Sequence, residues 1–235
     1  MNAIFKREFR SYMNNVIGPV IVALLLVAAG VMITVNNVLL GSAHFEYSMS
    51  MMQLALIVAI PVLAMHPVAE ERKSRVDRWM RSLPIRPISI VLGRYAAALC
   101  VYAIACAVLA VYPIVLGMVG LANAVSSYTA IIGFFLLGAA LLALCSFTSA
   151  LTASPVIAVL LGIGGVLLLH LPDLLVSYAP VSGALARILP KLSLLTRYSI
   201  ICSGVFEWSS VLLYLSFTVF FLALTWLVVC RKHRA

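Results

Sequence analysis

Long apolar runs with almost no charge dominate this chain and restrict what it can fold into. Several of them last about 18 residues or more, enough for a helix to cross a hydrocarbon core roughly 30 Å thick. Hydrophobic residues make up 64% of the sequence and the mean hydropathy is +1.15, whereas soluble domains contain about 45–50% apolar residues. The composition therefore predicts an all-α, polytopic membrane protein rather than a soluble domain.

The apolar runs divide the chain into six predicted transmembrane helices within a single domain, residues 1–235. No stretch has the composition of an inserted soluble domain. The first run is too long for a removable signal peptide, and further spans follow it. The predicted spans are residues 16–40, 51–68, 92–118, 128–149, 155–172 and 211–230.

The basic residues are unevenly distributed, and this asymmetry predicts the orientation. With both termini in the cytoplasm, thirteen of the sixteen Lys and Arg residues fall on the inner side, as the positive-inside rule requires. The positive-inside rule therefore accounts for the net charge of +9, and a nucleic-acid partner is not needed to explain it. The exceptions are Arg187, Lys191 and Arg197.

The segment before the first span, residues 1–15, has helical amphipathicity. Phe5, Phe9, Tyr12, Met13 and Val16 follow the i, i+4, i+7, i+8, i+11 pattern of one helix face. The basic residues of this segment lie largely off that face. We therefore expect a helix that lies in the inner membrane interface.

Residues 173–210 are predicted to lie outside but are too apolar for a solvated loop. Prolines and glycines break the segment, so we expect two short helices that re-enter the outer leaflet and are buried there. Its cations, Arg187, Lys191 and Arg197, are candidate contacts for lipid phosphates or for a substrate. Cys202 is a lone thiol in this external segment, which raises the alternative of an intermolecular disulfide.

Residues 70–84, EERKSRVDRWMRSLP, form the most charged segment of the chain. Val76, Trp79, Met80 and Leu83 align as a narrow apolar stripe at helical spacing, and Pro84 ends the pattern. The stripe suits either an anionic lipid surface or a groove on another protein. The acidic residues of the segment would be repelled by anionic lipid, which favours protein docking.

Three stretches of the sequence resemble the ABC-2 type transporter permeases. They are AEERKSRVDRWMRSLPIRPISIVLGRY, FKREFRSYMNNVIGPV and SLLTRYSIICSGVFEWSSVLLYLSF, and the last two are similar to the gliding-motility and nitrous-oxide-maturation branch. The resemblance extends over essentially the whole chain.

This resemblance implies a permease subunit in the bacterial cytoplasmic membrane. It would pair with a second permease chain, identical or homologous, and with two copies of an ABC ATPase, usually for export. The charged segment would be the coupling helix that enters a cleft on the ATPase. The residues implied in ATPase coupling are Glu70, Glu71, Arg72, Arg75, Asp77, Arg78, Trp79, Met80, Arg81 and Leu83.

The sequence contains no Gly-Lys pair and therefore no phosphate-binding GxxxxGK[ST] loop. We expect no cofactor in this chain, with ATP and Mg²⁺ held by the partner ATPase, and no enzymatic activity of its own. Ionisable candidates at membrane depth are His66 and the pair His170 and Asp173, for which a structural hydrogen bond is favoured over a metal site or proton relay.

Two alternatives to a permease remain open. One is a membrane scaffold within an ABC complex that transmits force without moving a substrate. The other is a secondary transporter, although the sequence lacks the internal repeats typical of that class.

Overall fold

The computed structural model describes residues 2–39, 45–74, 87–118, 123–152, 154–178, 193–204 and 207–234. Within this part of the chain almost every residue is helical and none lies in a β-strand. The prediction of an all-helical fold is confirmed.

Nine α-helices are present among the described residues, and a π-helical segment, Thr34–Leu39, extends the second of them. The α-helices are α1 (Asn2–Asn14), α2 (Ile17–Ile33), α3 (Phe45–Ser74), α4 (Pro87–Leu109), α5 (Tyr112–Met118), α6 (Ala124–Leu151), α7 (Pro155–Tyr178), α8 (Leu194–Cys202) and α9 (Trp208–Arg234).

Five helical segments in the described part of the chain are long and apolar enough to cross a membrane. They correspond to the first, second, third, fourth and sixth predicted spans. The fifth predicted span falls within α7, whose apolar part, Pro155–Leu171, is shorter. The membrane-spanning segments are Ile17–Asn37, Phe45–Pro67, Ile88–Met118, Ala124–Leu151 and Trp208–Arg231.

Successive long helices run in opposite directions, so the bundle has two distinct ends. At the α1 end, α1 contacts the end of α3 through Tyr12 and Leu63, and the start of α4 through Ile4 and Gly93. At the opposite end, which we call the α8 end, Tyr198 of α8 contacts Met49 near the start of α3.

Helix α6 is the central element of the bundle, and most of its apolar residues are buried. It packs against α3, α4, α7, α8 and α9. Two glycines allow the closest of these approaches. The Tyr102 ring of α4 lies directly against Gly138, and Ile201 of α8 lies so close to Gly133 that an added Cβ would be 2.7 Å from its Cγ2 atom.

Because the Tyr102 ring occupies the space beside Gly138, we expect Gly138→Ala to force α4 and α6 apart. Overpacking of this kind costs about 1–3 kcal/mol, and thermal unfolding in detergent would measure it. Gly164→Ala is the matched control, since an added Cβ there meets no atom within 4 Å. Equal unfolding temperatures for the two variants would contradict the close α4–α6 contact.

Candidate functional site

The helix α1 lies across the start of α4 and the end of α3, at the end of the bundle that flanks residues 75–86. Ile4 contacts Gly93 so closely that an added Cβ would be 2.9 Å from the Cγ2 atom of Ile4. Phe5 and Phe9 stack with ring centroids 6.0 Å apart and pack against the core. The α1 helix is thus an integral part of the protein core at this end.

The orientation of α1 differs from the sequence expectation of one apolar face turned toward the membrane. Tyr12 is 0% exposed and Glu8 only 2%, whereas Met13 is 46% and Val16 75% exposed. The residues predicted to form one apolar face therefore do not share one environment: Tyr12 is buried within the protein, whereas Met13 and Val16 are exposed on its surface. The reason is that Glu8 and Tyr12 find hydrogen-bonding and ionic partners on α3 and α4, which periodicity alone does not reveal.

A proline in α3 creates the acceptor that Tyr12 uses. Pro67 lacks an N–H group, so the carbonyl of Leu63, four residues earlier, has no main-chain donor within the helix. The Tyr12 hydroxyl donates to that carbonyl oxygen at 3.1 Å. An otherwise unsatisfied main-chain group in the bundle is thereby paired, and α1 is attached to α3 at the point where its hydrogen-bond ladder is interrupted.

His66, one of the ionisable candidates at membrane depth, belongs to the same contact. Its ring stacks on that of Tyr12 with centroids 4.2 Å apart. The Asn15 amide nitrogen lies 3.1 Å from Nε2 of His66, and since an amide N–H can only donate, Nε2 is the acceptor. This geometry makes His66 a structural residue that joins α3 to the α1–α2 connection.

A buried carboxylate joins α1 to α4. The Glu8 Oε1 atom lies 2.9 Å from a terminal nitrogen of Arg7 and 3.8 Å from Nε of Arg94. Removing one partner from a buried ionic contact leaves an uncompensated charge, which is costly. The pairing therefore holds α1 against the start of α4, the helix that follows the charged segment.

The charged segment itself is described only in its first residues. Helix α3 continues through Glu70, Glu71 and Arg72 to Ser74 without a break, so these residues extend α3. Their side chains lie outside the described part of the chain, as do residues 75–86. The remaining residues of the predicted coupling site, Arg75, Asp77, Arg78, Trp79, Met80, Arg81 and Leu83, fall within that range.

At the α8 end, the structure describes one of the three candidate cations. Arg197 lies on α8 and its guanidinium is 2.7 Å from Oε2 of Glu207 and 3.1 Å from Oγ of Ser209. Arg197 therefore joins α8 to the start of α9. The other two, Arg187 and Lys191, lie outside the described residues.

Helix α8 is one short helix in the predicted re-entrant segment; residues 179–192 lie outside the described part of the chain. The Tyr198 hydroxyl donates to the Met49 carbonyl at 2.7 Å. The Tyr214 hydroxyl of α9 donates to the Leu194 carbonyl, also at 2.7 Å. The helix is therefore fixed to both α3 and α9.

His170, near the end of α7, directs Nδ1 to the carbonyl oxygen of Val166 at 2.9 Å. This is a contact within one helix. The Asp173 side chain lies outside the described residues, so the predicted pair is untested. Among the described residues, no three His, Cys, Asp or Glu side chains gather as a metal site would require.

The sequence interpretation overlooked Glu8, Arg94 and Asn15 as structural partners. One signal was present: a proline within an apolar helix exposes a carbonyl four residues earlier, and a nearby tyrosine is a suitable donor. An acid amid the basic residues of α1 is a second such signal. The partners themselves are distant in sequence, and only the packing of α1 brings them together.

Comparison with known proteins identified no relative of this chain. No protein-family model matches the chain, and no curated protein is significantly similar to it in sequence. A functional interpretation therefore depends on the residues and contacts described above.

We expect Tyr12→Phe to lower the unfolding free energy by about 1 kcal/mol, because it leaves the Leu63 carbonyl without its donor. Tyr47→Phe removes the same hydroxyl from a side chain that is 53% exposed, and it should leave stability unchanged. Denaturation in detergent, followed by circular dichroism, measures both. Equal stability of the two variants would contradict a role for the Tyr12 bond.

Cys202 is predicted to resist alkylation. Burial raises the pKa of its thiol to about 12, and its side chain is 4% exposed, so at pH 8 it is a protonated, inaccessible thiol. This finding disfavours the intermolecular disulfide raised as an alternative. In chains with a single cysteine, maleimide should label Cys202 far more slowly than a cysteine placed by Ser203→Cys, where the side chain is exposed. Equal labelling rates would contradict the burial of Cys202.

Proposed function

We propose that this chain is the permease subunit of an ABC transporter, with six transmembrane helices and both termini in the cytoplasm. A second permease chain, identical or homologous, would complete the membrane path. Two ATPase subunits would bind ATP and Mg²⁺ and drive substrate movement outward, as the family resemblance implies. The bacterial cytoplasmic membrane is the proposed location.

One observation carries this proposal. The most charged segment of the chain, residues 70–84, includes the last turn of α3 and precedes α4 in the sequence, and the start of α4 lies at the α1 end of the bundle. In the predicted topology, thirteen of the sixteen basic residues fall on this side of the membrane, which the positive-inside rule assigns to the cytoplasm. The segment would therefore face the compartment that contains ATP.

The helix α3 suits the transmission of movement. It continues for 30 residues from Phe45 to Ser74, so a force applied to its charged end acts on an element that also spans the apolar core. Pro61 and Pro67 interrupt its hydrogen-bond ladder. Tyr12 braces α3 beside Pro67, and Glu8 braces the start of α4. In our mechanism, closure of the two ATPases pushes residues 70–84 and tilts α3 and α4 together.

The docking assignment predicts the effect of removing the apolar stripe. In a membrane extract of the native organism, the tagged chain should copurify with a protein that carries a GxxxxGK[ST] loop and hydrolyses ATP. Trp79→Ala combined with Met80→Ala should reduce the yield of that ATPase by about tenfold or more, because buried tryptophan anchors contribute about 2 kcal/mol. Quantitative mass spectrometry measures the ratio of ATPase to chain.

The matched control is Trp208→Ala, which removes an exposed tryptophan from the α8 end and should leave the ATPase yield unchanged. Full ATPase yield with the double variant would refute the docking assignment. If an ATPase copurifies but the complex in liposomes moves nothing while ATP hydrolysis persists, the chain is a force-transmitting scaffold. Transport by the chain alone, driven by an ion gradient, would identify a secondary transporter.

A further inference from the structure

The outward side of α1 carries cations next to exposed apolar side chains. Lys6, Arg10 and Met13 lie at i, i+4 and i+7 and so share one helix face. All three are exposed. Val16 follows in the α1–α2 connection, where its side chain is 75% exposed. Val20 of α2, 51% exposed, lies one turn further along.

The net charge on this side is positive. Glu8 is the acid of α1, and its carboxylate is buried on the opposite side, next to Arg7 and Arg94. Lys6 and Arg10 are thus separated from that carboxylate by the body of the helix. Arg7, whose side chain is 48% exposed, borders them. A ligand that approaches here meets two or three positive charges.

We propose that this edge of α1 binds the headgroup of an anionic phospholipid. The phosphate lies at Lys6 and Arg10, and an acyl chain follows Met13, Val16 and Val20. Long basic side chains beside an apolar surface suit this amphipathic ligand. Each basic residue near an anionic membrane surface strengthens the binding of anionic lipid several-fold.

A lipid fits this site better than a soluble phosphate or an acidic protein surface. The exposed apolar residues continue from α1 into a segment, Ile17–Asn37, that is apolar enough to cross a membrane and only 28% buried. The cations therefore lie at the membrane boundary, where lipid phosphates are concentrated. This proposal does not depend on an ATPase partner or on transport.

The test uses the purified full chain in detergent, mixed with dioleoyl phosphatidylglycerol or dioleoyl phosphatidylcholine. Native mass spectrometry counts the lipids retained. We expect about tenfold greater retention of phosphatidylglycerol than of phosphatidylcholine. Lys6→Gln combined with Arg10→Gln should lower the retention of phosphatidylglycerol about tenfold, to the level of phosphatidylcholine. Arg231→Gln combined with Lys232→Gln removes the same charge from α9 at the same end of the bundle and should retain the preference.

Three results would overturn the proposal. The first is equal retention of the two lipids by the unmodified chain. The second is an equal loss in both double variants, which would indicate diffuse charge attraction instead of a site on α1. The third is displacement of phosphatidylglycerol by millimolar glycerol 3-phosphate, which would identify a soluble phosphate as the ligand. Circular dichroism on each variant verifies that the helices are intact.

Discussion

Hydrogen bonds from tyrosine hydroxyls to main-chain carbonyls of other helices hold this bundle together. In a membrane, helices gain little from the hydrophobic effect when they associate, so close packing and polar contacts determine their arrangement. Each tyrosine fills space with its ring and fixes the helix register with its hydroxyl. The pairs are Tyr12 with Leu63, Tyr95 with Ala139, Tyr102 with Phe134, Tyr198 with Met49 and Tyr214 with Leu194.

These bonds depend on residues that change the backbone around them. Gly138 leaves room for the Tyr102 ring, so that its hydroxyl reaches the Phe134 carbonyl at 2.7 Å. Pro67 removes the N–H that would otherwise occupy the Leu63 carbonyl, which Tyr12 then uses. Glycine and proline, which weaken an isolated helix, here enable the contacts between helices.

Composition predicted the apolar helices because burial in a membrane demands long uncharged runs, and five of the six predicted spans correspond to helices able to cross one. Periodicity also predicted α1, but it could not distinguish a face that meets lipid from a face that meets protein. Glu8 illustrates this limit. It is an acid within a basic stretch of sequence, and it is buried next to Arg94, which is distant in the sequence. Likewise, nothing near Arg197 in the sequence marks Glu207 as its partner. The docking role of residues 70–84 stays a prediction.

The attachment of α8 has a consequence for how the chain is made. Its bond to Met49 uses α3, which leaves the ribosome long before α8, whereas Glu207, just before α9, and Tyr214, within α9, are translated after α8. Because synthesis proceeds from the N-terminus, α8 acquires these α9 contacts only after α9 has entered the bilayer. A nascent chain arrested before α9 therefore holds α8 by its contacts with α3, α6 and α7, and the bonds of Tyr214 and Glu207 to α8 form only once α9 has been made.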